Sequence, residues 1–238
     1  MKNYLTTDVE DYFQVSAFAD ILSPHQWDRM ESRIESNLSQ ILKTLKNQGI
    51  YGTFFVVGWL AEKYPEVVRQ IIDNGHEIGC HSYWHRKIYD LTPEEFLEDT
   101  LRAKAVLEKI AKRSITAYRA PSYSITSKSL WALDILKYAG FEADSSIFPI
   151  HHDLYGIPGS PRFQYRLQKQ GMEEFPISTA VFFGRKIPVA GGGYFRLFPY
   201  WFTKFALRQI NKKEGRPFVF YLRSEEHTSE LQSLLIIS

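Results

Sequence analysis

Short runs rich in β-branched and aromatic residues alternate with helix-length amphipathic segments along most of this chain. That alternation limits the possible folds more than any other feature. Residues 3–7, 51–57, 77–80, 117–119 and 141–144 read as strands by composition. Residues 31–48 read as a helix with Ile34, Leu38, Ile41, Leu42 and Leu45 on one face. Pro65 opens another helix carrying Val67, Val68, Ile71 and Ile72, with Gly75 where a left-handed C-terminal residue belongs. Thr92-Pro93-Glu94-Glu95 is a capping box that starts a helix running to about Ala111. Leu130, Leu133 and Leu136 mark the next helix, which Gly140 ends. Residues 174–178 and 218–222 read as later strands with irregular chain between them. Strand followed by helix, repeated, demands the crossovers of a parallel sheet, so an α/β fold is expected, open or closed into a barrel.

Composition excludes several function classes. The 29 Lys and Arg against 27 Asp and Glu give +2, which offers no support for nucleic-acid binding. The single cysteine, Cys80, excludes an internal disulfide and a multi-cysteine zinc site. Strand alternation turns Cys80 away from His81, as a small buried filler. The longest apolar run, residues 54–61, is too short to span a bilayer, and no apolar leader follows Met1; a soluble, cytoplasmic protein is the expectation. Aromatics at 15% make an aromatic-lined pocket plausible. Trp27, Trp59, Trp84, Trp131 and Trp201 are expected chiefly in the core, Trp84 also being a candidate wall of a groove. His151-His152-Asp153 reads as surface or a substrate-facing loop.

The reactive side chains follow the strands. Asp8, Glu10 and Asp11 come after the first, His81 and His85 after the third, Arg119 at the end of the fourth, and Asp144 at the end of the fifth. Both barrels and open parallel sheets place ligands at strand C-termini, so residues far apart in sequence can converge there. His81 and His85 are four apart, and one helical turn would set both imidazoles on one face. Two His and one carboxylate would suit a catalytic zinc with an open position. Asp8, Glu10 and Asp11 read either as a solvated acidic turn with an N-cap or as acids divided between a metal and proton transfer.

The motifs Thr7-Asp8-Val9-Glu10-Asp11-Tyr12-Phe13, Thr53-Phe54-Phe55-Val56, Gly75-His76-Glu77-Ile78-Gly79 and His81-Ser82-Tyr83-Trp84-His85 occur in that order. Tyr118-Arg119-Ala120-Pro121-Ser122, Asp144-Ser145-Ser146-Ile147-Phe148-Pro149 and Gly191-Gly192-Gly193-Tyr194-Phe195-Arg196 follow. Together they resemble the polysaccharide deacetylases with a NodB homology domain (carbohydrate esterase family four), and more narrowly the branch found in exopolysaccharide biosynthesis loci. The resemblance runs to about Leu222. It implies a distorted (β/α) barrel, a divalent metal that is usually zinc, and hydrolysis of N-acetyl groups on a polysaccharide or its precursor.

By position, the resemblance makes Asp8 the general base, His81 and His85 metal ligands, and Arg119 the residue orienting the base. Asp144 is carried as a third catalytic candidate. The third ligand is Glu10, with Asp11 the alternative, because Val9 separates acids that are adjacent in the common pattern. The Ser122 backbone N–H would lie near the oxyanion, and Tyr194 and Arg196 would touch sugar. The family strand that matches residues 218–222 continues as His-Pro, and that histidine protonates the leaving amine. Here residues 223–238 resemble the translation of a sequencing-library adapter, so residues 1–222 are expected to be the deacetylase domain, truncated at its C-terminal end, and His227 receives no role. Hydrolysis of a small cyclic amide and non-catalytic sugar binding are the competing functions.

Overall fold

The computed structural model describes residues 1–19 and 21–225. The strands are β1 (Tyr4–Val9), β2 (Thr53–Val56), β3 (Glu77–Cys80), β4 (Ala117–Tyr118), β5 (Ala143–Asp144), β6 (Tyr165–Leu167), β7 (Met172–Glu174), β8 (Thr179–Phe182), β9 (Arg185–Pro188) and β10 (Val219–Arg223). The helices are α1 (Ile34–Asn47), α2 (Gly58–Lys63), α3 (Pro65–Asp73), α4 (Pro93–Ala111), α5 (Trp131–Tyr138), α6 (Gly192–Leu197) and α7 (Tyr200–Lys212). Eight strands form one sheet in the order β10-β1-β2-β3-β4-β5-β7-β6, parallel except for β6. The sheet curls into a distorted (β/α) barrel whose two edges are β10 and β6.

Helix signals and strand composition account for most of this order. Thr92 caps α4 through its side chain, Glu95 returns the bond, and Pro93 takes the first position, as the sequence predicts. The helix α1 buries the five apolar residues read as its face. Of the predicted strand at 174–178 only Glu174 lies in a strand, the last residue of β7; residues 175–178 connect it to β8, which begins at Thr179 in a separate hairpin with β9. The region read as irregular holds that hairpin together with α6 and α7. Its strands are short, and its helices have no side-chain cap.

The pleat decides which strand-end residues face the barrel interior. Val9, Val56, Cys80, Tyr118, Asp144 and Glu174 are paired in register across six strands. Laterally paired residues share a face, so this row points one way and the next row the other. The ladder continues one residue further, with His81 N–H donating to Val56 O, Arg119 N–H to Cys80 O and Ser145 N–H to Tyr118 O. Glu10, His81, Arg119 and Ser145 therefore form a single row on the face that also carries Asp8. Cys80 lies in the other row, fully buried, as the sequence predicts.

The triple glycine closes this rim. Gly191 has φ +114, and a Cβ there would stand 1.8 Å from Tyr221 O; one on Gly192 would stand 2.0 Å from the Tyr221 hydroxyl. Gly193 has its nearest neighbour at 3.8 Å. Gly191→Ala is expected to destabilise the fold by about 3 kcal/mol or more, combining backbone strain with a steric clash. Gly193→Ala is expected to be near neutral. Urea unfolding of the two variants checks this contrast.

Four of the five tryptophans are buried or half-buried, as expected; Trp201 is 69% exposed and corrects the expectation of a core residue. It lies on the outer stripe of α7, whose buried stripe is Thr203, Ala206, Leu207 and Ile210.

Candidate metal and catalytic site

Glu10, His81 and His85 converge at the C-terminal rim of the sheet. One ligand atom from each lies within 4.8 Å of the others, and all three residues are buried. Glu10 Oε2 is 2.6 Å from His85 Nε2 yet makes no aligned hydrogen bond. A buried carboxylate oxygen left this way is expensive unless something else occupies its lone pairs. His81 Nδ1 is 2.7 Å from Arg119 O, and donating its N–H to that carbonyl turns the Nε2 lone pair inward. Burial pulls His81 down to about 4, which keeps the ring neutral at pH 7. Burial alone would raise Glu10, but the facing His85 ring, followed by the Arg223 charge, outweighs it and holds the carboxyl below its usual range. One carboxylate and two imidazoles, buried and convergent, fit a divalent cation of the zinc type.

The two histidines do not meet through a helical turn. Residues 81–87 form a loop in which Ser82 has φ +66 and His85 φ +53. Asp99 of α4 braces it: its carboxylate accepts from Ser82 Oγ at 2.6 Å, Tyr83 N at 2.8 Å and Trp84 N at 2.9 Å. Asp99 was not read from the sequence as a functional position. Its signal is an acid within the buried stripe of α4, beside Phe96, Thr100, Ala103 and Leu107.

Asp8 and Arg119 stand in the same interior. Arg119 is wholly buried and donates to Asp8 Oδ1 at 2.7 Å, Thr6 Oγ1 at 2.9 Å, Ser145 O at 3.2 Å and Ser145 Oγ at 2.8 Å. Burial disfavours its charge, but Asp8 alongside raises its pKa. One charge-assisted bond from Nη1 holds Asp8 Oδ1, while the bonds to Thr6 and Ser145 hold the guanidinium in position. Asp11 does a different job: its carboxylate accepts from Tyr12 N, Ser32 Oγ and Arg33 N, fixing the turn after β1. The capping reading of the acidic run therefore holds for Asp11, and Glu10 is the acid beside the histidines.

Asp144 is not brought to this group. It belongs to the outward row, accepts from Ser146 Oγ at 2.5 Å and faces Glu174. Its neighbour Ser145 is the residue that holds Arg119. The sequence reading located the strand end but not the pleat phase. Burial, followed by the Asp144 charge, raises Glu174 well above the usual carboxylate range, and burial also raises Asp144. An acid whose pKa is higher folded than unfolded contributes stability below its unfolded value and loses it as pH rises towards the folded value. Glu174→Gln is therefore expected to match wild type near pH 4 and exceed it in stability at pH 8. Parallel urea-unfolding profiles for the two proteins across that range would refute this.

Two clefts flank the site. One of about 490 Å³ is lined by Tyr12, Ser122, Tyr123, Tyr155, Arg196 and Tyr221, among others. The other, of about 280 Å³, is walled by Phe13, Trp27, Trp84 and His85. Ser122 and Tyr123 have φ +52 and +53, successive left-handed residues of the kind that accumulate at functional turns. The Tyr194 hydroxyl is 2.9 Å from that of Tyr155, so α6 forms part of the first cleft's wall. His152 stacks on Tyr155 at 3.9 Å, with His151, His152 and Asp153 exposed.

The fold and this rim define a distorted (β/α) barrel with a buried carboxylate–histidine cluster at its C-terminal end. The polysaccharide deacetylase family profile matches residues 26–143, and a domain of unknown function, DUF3473, matches residues 145–233. Residues 26–143 are thus a polysaccharide deacetylase family domain. It is 28% identical over 140 residues to a peptidoglycan-N-acetylglucosamine deacetylase of Bacillus cereus, covering 53% of this chain and 50% of that one. It is 25% identical over 96 residues to a chitooligosaccharide deacetylase of a Bradyrhizobium species, covering 40% and 42%. The chain thus spans half or less of the length of these curated relatives. The fold resembles a solved family 4 carbohydrate esterase from Streptomyces lividans in complex with acetate, with TM-score 0.58, 14% identity and coverage of 99% and 86%. It also resembles a family 4 pseudoenzyme from Bacillus anthracis, with TM-score 0.54, 14% identity and coverage of 99% and 59%.

Proposed function

We propose that this chain hydrolyses N-acetyl groups on a carbohydrate, using a divalent cation held by Glu10, His81 and His85. The observation that carries the reading is that buried cluster, with a separate, arginine-held carboxylate on the same face of the barrel. A divalent cation held by Glu10, His81 and His85 would supply Lewis acidity toward the amide carbonyl and the attacking water. Asp8, its Oδ1 held by Arg119, takes the proton from the attacking water. The Ser122 N–H, set by its left-handed turn, hydrogen-bonds the developing oxyanion. Tyr194 and Arg196 contact the sugar from the wall and rim of the larger cleft. We assign residues 1–222 as the deacetylase domain, and an exopolysaccharide or its precursor as the substrate.

The leaving amine needs a proton. Arg223 stands at the end of β10, where the resemblance expects a histidine, 3.6 Å from Glu10. Burial works against the Arg223 charge, but Glu10 and Glu225 raise its pKa far above the usual value, so its proton is not available. Asp8, protonated in the first step, is the group that returns a proton to the amine. Turnover is therefore expected to be slow. Residues 226–238, including His227 and most of the adapter-like tail, lie outside the described residues.

Acetate release from chitooligosaccharides, measured before and after chelation and zinc addition, tests the reading. Slow, zinc-dependent release that Arg223→His accelerates supports it. No release from zinc-loaded wild type or Arg223→His overturns it in favour of sugar binding without hydrolysis, and cleavage of cyclic amides alone favours the other hydrolase.

A further inference from the structure

Between Phe175 and Lys213 the chain has seven lysines and arginines and no acid, while the remainder has 22 cations against 27 acids. The overall charge of +2 therefore conceals a basic segment on an acidic body. Exposed large apolar side chains lie on the same segment: Phe183 is fully exposed, and Val181, Leu197, Trp201 and Phe205 are also exposed.

The fold packs the hairpin of this segment against α7. Phe182 of β8 is 5.5 Å from Phe202 and 6.2 Å from Phe205 between ring centroids, and Trp201 is 6.0 Å from Phe202. Those contacts join the β8–β9 hairpin to α7. Along α7, Trp201, Phe205, Arg208 and Lys212 fall at i, i+4, i+7 and i+11, an outward stripe with aromatics at one end and cations at the other. Phe183 and Gly184, at φ +49 and +76, form the hairpin tip. A large aromatic in a left-handed turn, wholly exposed, contributes nothing to the core beneath it.

We propose that the β8–β9 hairpin, the end of α6 and the outward stripe of α7 dock this protein on the surface of an anionic lipid bilayer. Aromatic tips flanked by lysine and arginine match the boundary between acyl chains and negative headgroups. Charge complementarity selects this partner over a second copy of the chain. A two-fold interface on this face would bring the two acid-free basic segments together, and like charges there repel. The helix α6 carries Tyr194 at the cleft, ends in the exposed Leu197 and leads directly into α7. Docking therefore holds the mouth of the cleft beside the headgroups. The inference rests on surface and charge, and stands or falls independently of the deacetylase reading.

Co-sedimentation with vesicles at physiological ionic strength tests it, comparing pure phosphatidylcholine with phosphatidylcholine containing about one third phosphatidylglycerol. The wild type is expected to bind the anionic vesicles at least about tenfold better, less so at high salt. Removing cations in R208Q/K212Q is expected to weaken binding by roughly fivefold for each cation that reaches the surface. F183S/W201S/F205S is expected to abolish binding, and F183S alone, whose side chain is fully exposed, to weaken it without lowering the unfolding temperature. In W201F, loss of a vesicle-induced blue shift in tryptophan emission, with binding retained, places Trp201 at the lipid. Equal binding to neutral vesicles, no binding, or undiminished binding by the cation variant overturns the proposal. So does a dimer in sedimentation velocity that F183S/W201S/F205S dissolves while wild type ignores vesicles.

Discussion

Asp8→Asn is expected to lower kcat for acetate release by about 10²–10⁴-fold while leaving cation binding intact. The amide oxygen can keep the place of Oδ1 opposite Arg119, so the geometry of the interior is preserved. What disappears is the ability to accept a proton from water. Asp8 is outside the cluster of Glu10, His81 and His85, so zinc affinity should change little. Parallel measurement of kcat and zinc binding separates the roles: loss of both assigns Asp8 to the metal, and loss of neither removes it from the chemistry.

Arg119→Met is expected to cost about 3–5 kcal/mol of stability, because it strands a buried carboxylate. Arg119 is wholly buried and bonds Asp8, Thr6 and Ser145 at once, so β1, β4 and the residue after β5 all lose a partner. The double variant Asp8→Asn/Arg119→Met should recover part of that loss, because the stranded charge is gone. Urea unfolding of the four proteins measures the coupling. A double variant whose losses simply add would show that Asp8 and Arg119 are not energetically paired.

The strand–helix order was legible because its signals are local. Pro65, Pro93 and the Thr92–Glu95 capping box start helices by short-range geometry, and the observed helices begin at those prolines. The strand ends were legible too, and Glu10, His81 and Arg119 were found there. Pleat phase was not, since it is set by pairing across strands. That is why Asp144 was grouped with residues that face the other way, and why Ser145 was missed. The route by which His81 and His85 meet was also hidden. It depends on left-handed backbone at Ser82 and His85 and on Asp99, which lies 14 residues beyond His85 on another element. Glu10 and Asp11 could not be separated by spacing; the Ser32 and Arg33 partners of Asp11 separate them. Trp201, expected in the core from its residue type alone, lies on the outer stripe of α7, because helix phase and not aromatic character sets its exposure.

Titration of zinc into the metal-free chain by calorimetry addresses the shared cation directly. Wild type and Asp11→Asn are expected to bind one equivalent with similar affinity. Glu10→Gln should weaken binding by more than the roughly 10–100-fold that loss of an outer hydrogen-bond partner costs. Unchanged affinity in Glu10→Gln, or no zinc bound by the wild type, would mean that Glu10, His81 and His85 do not hold an ion together.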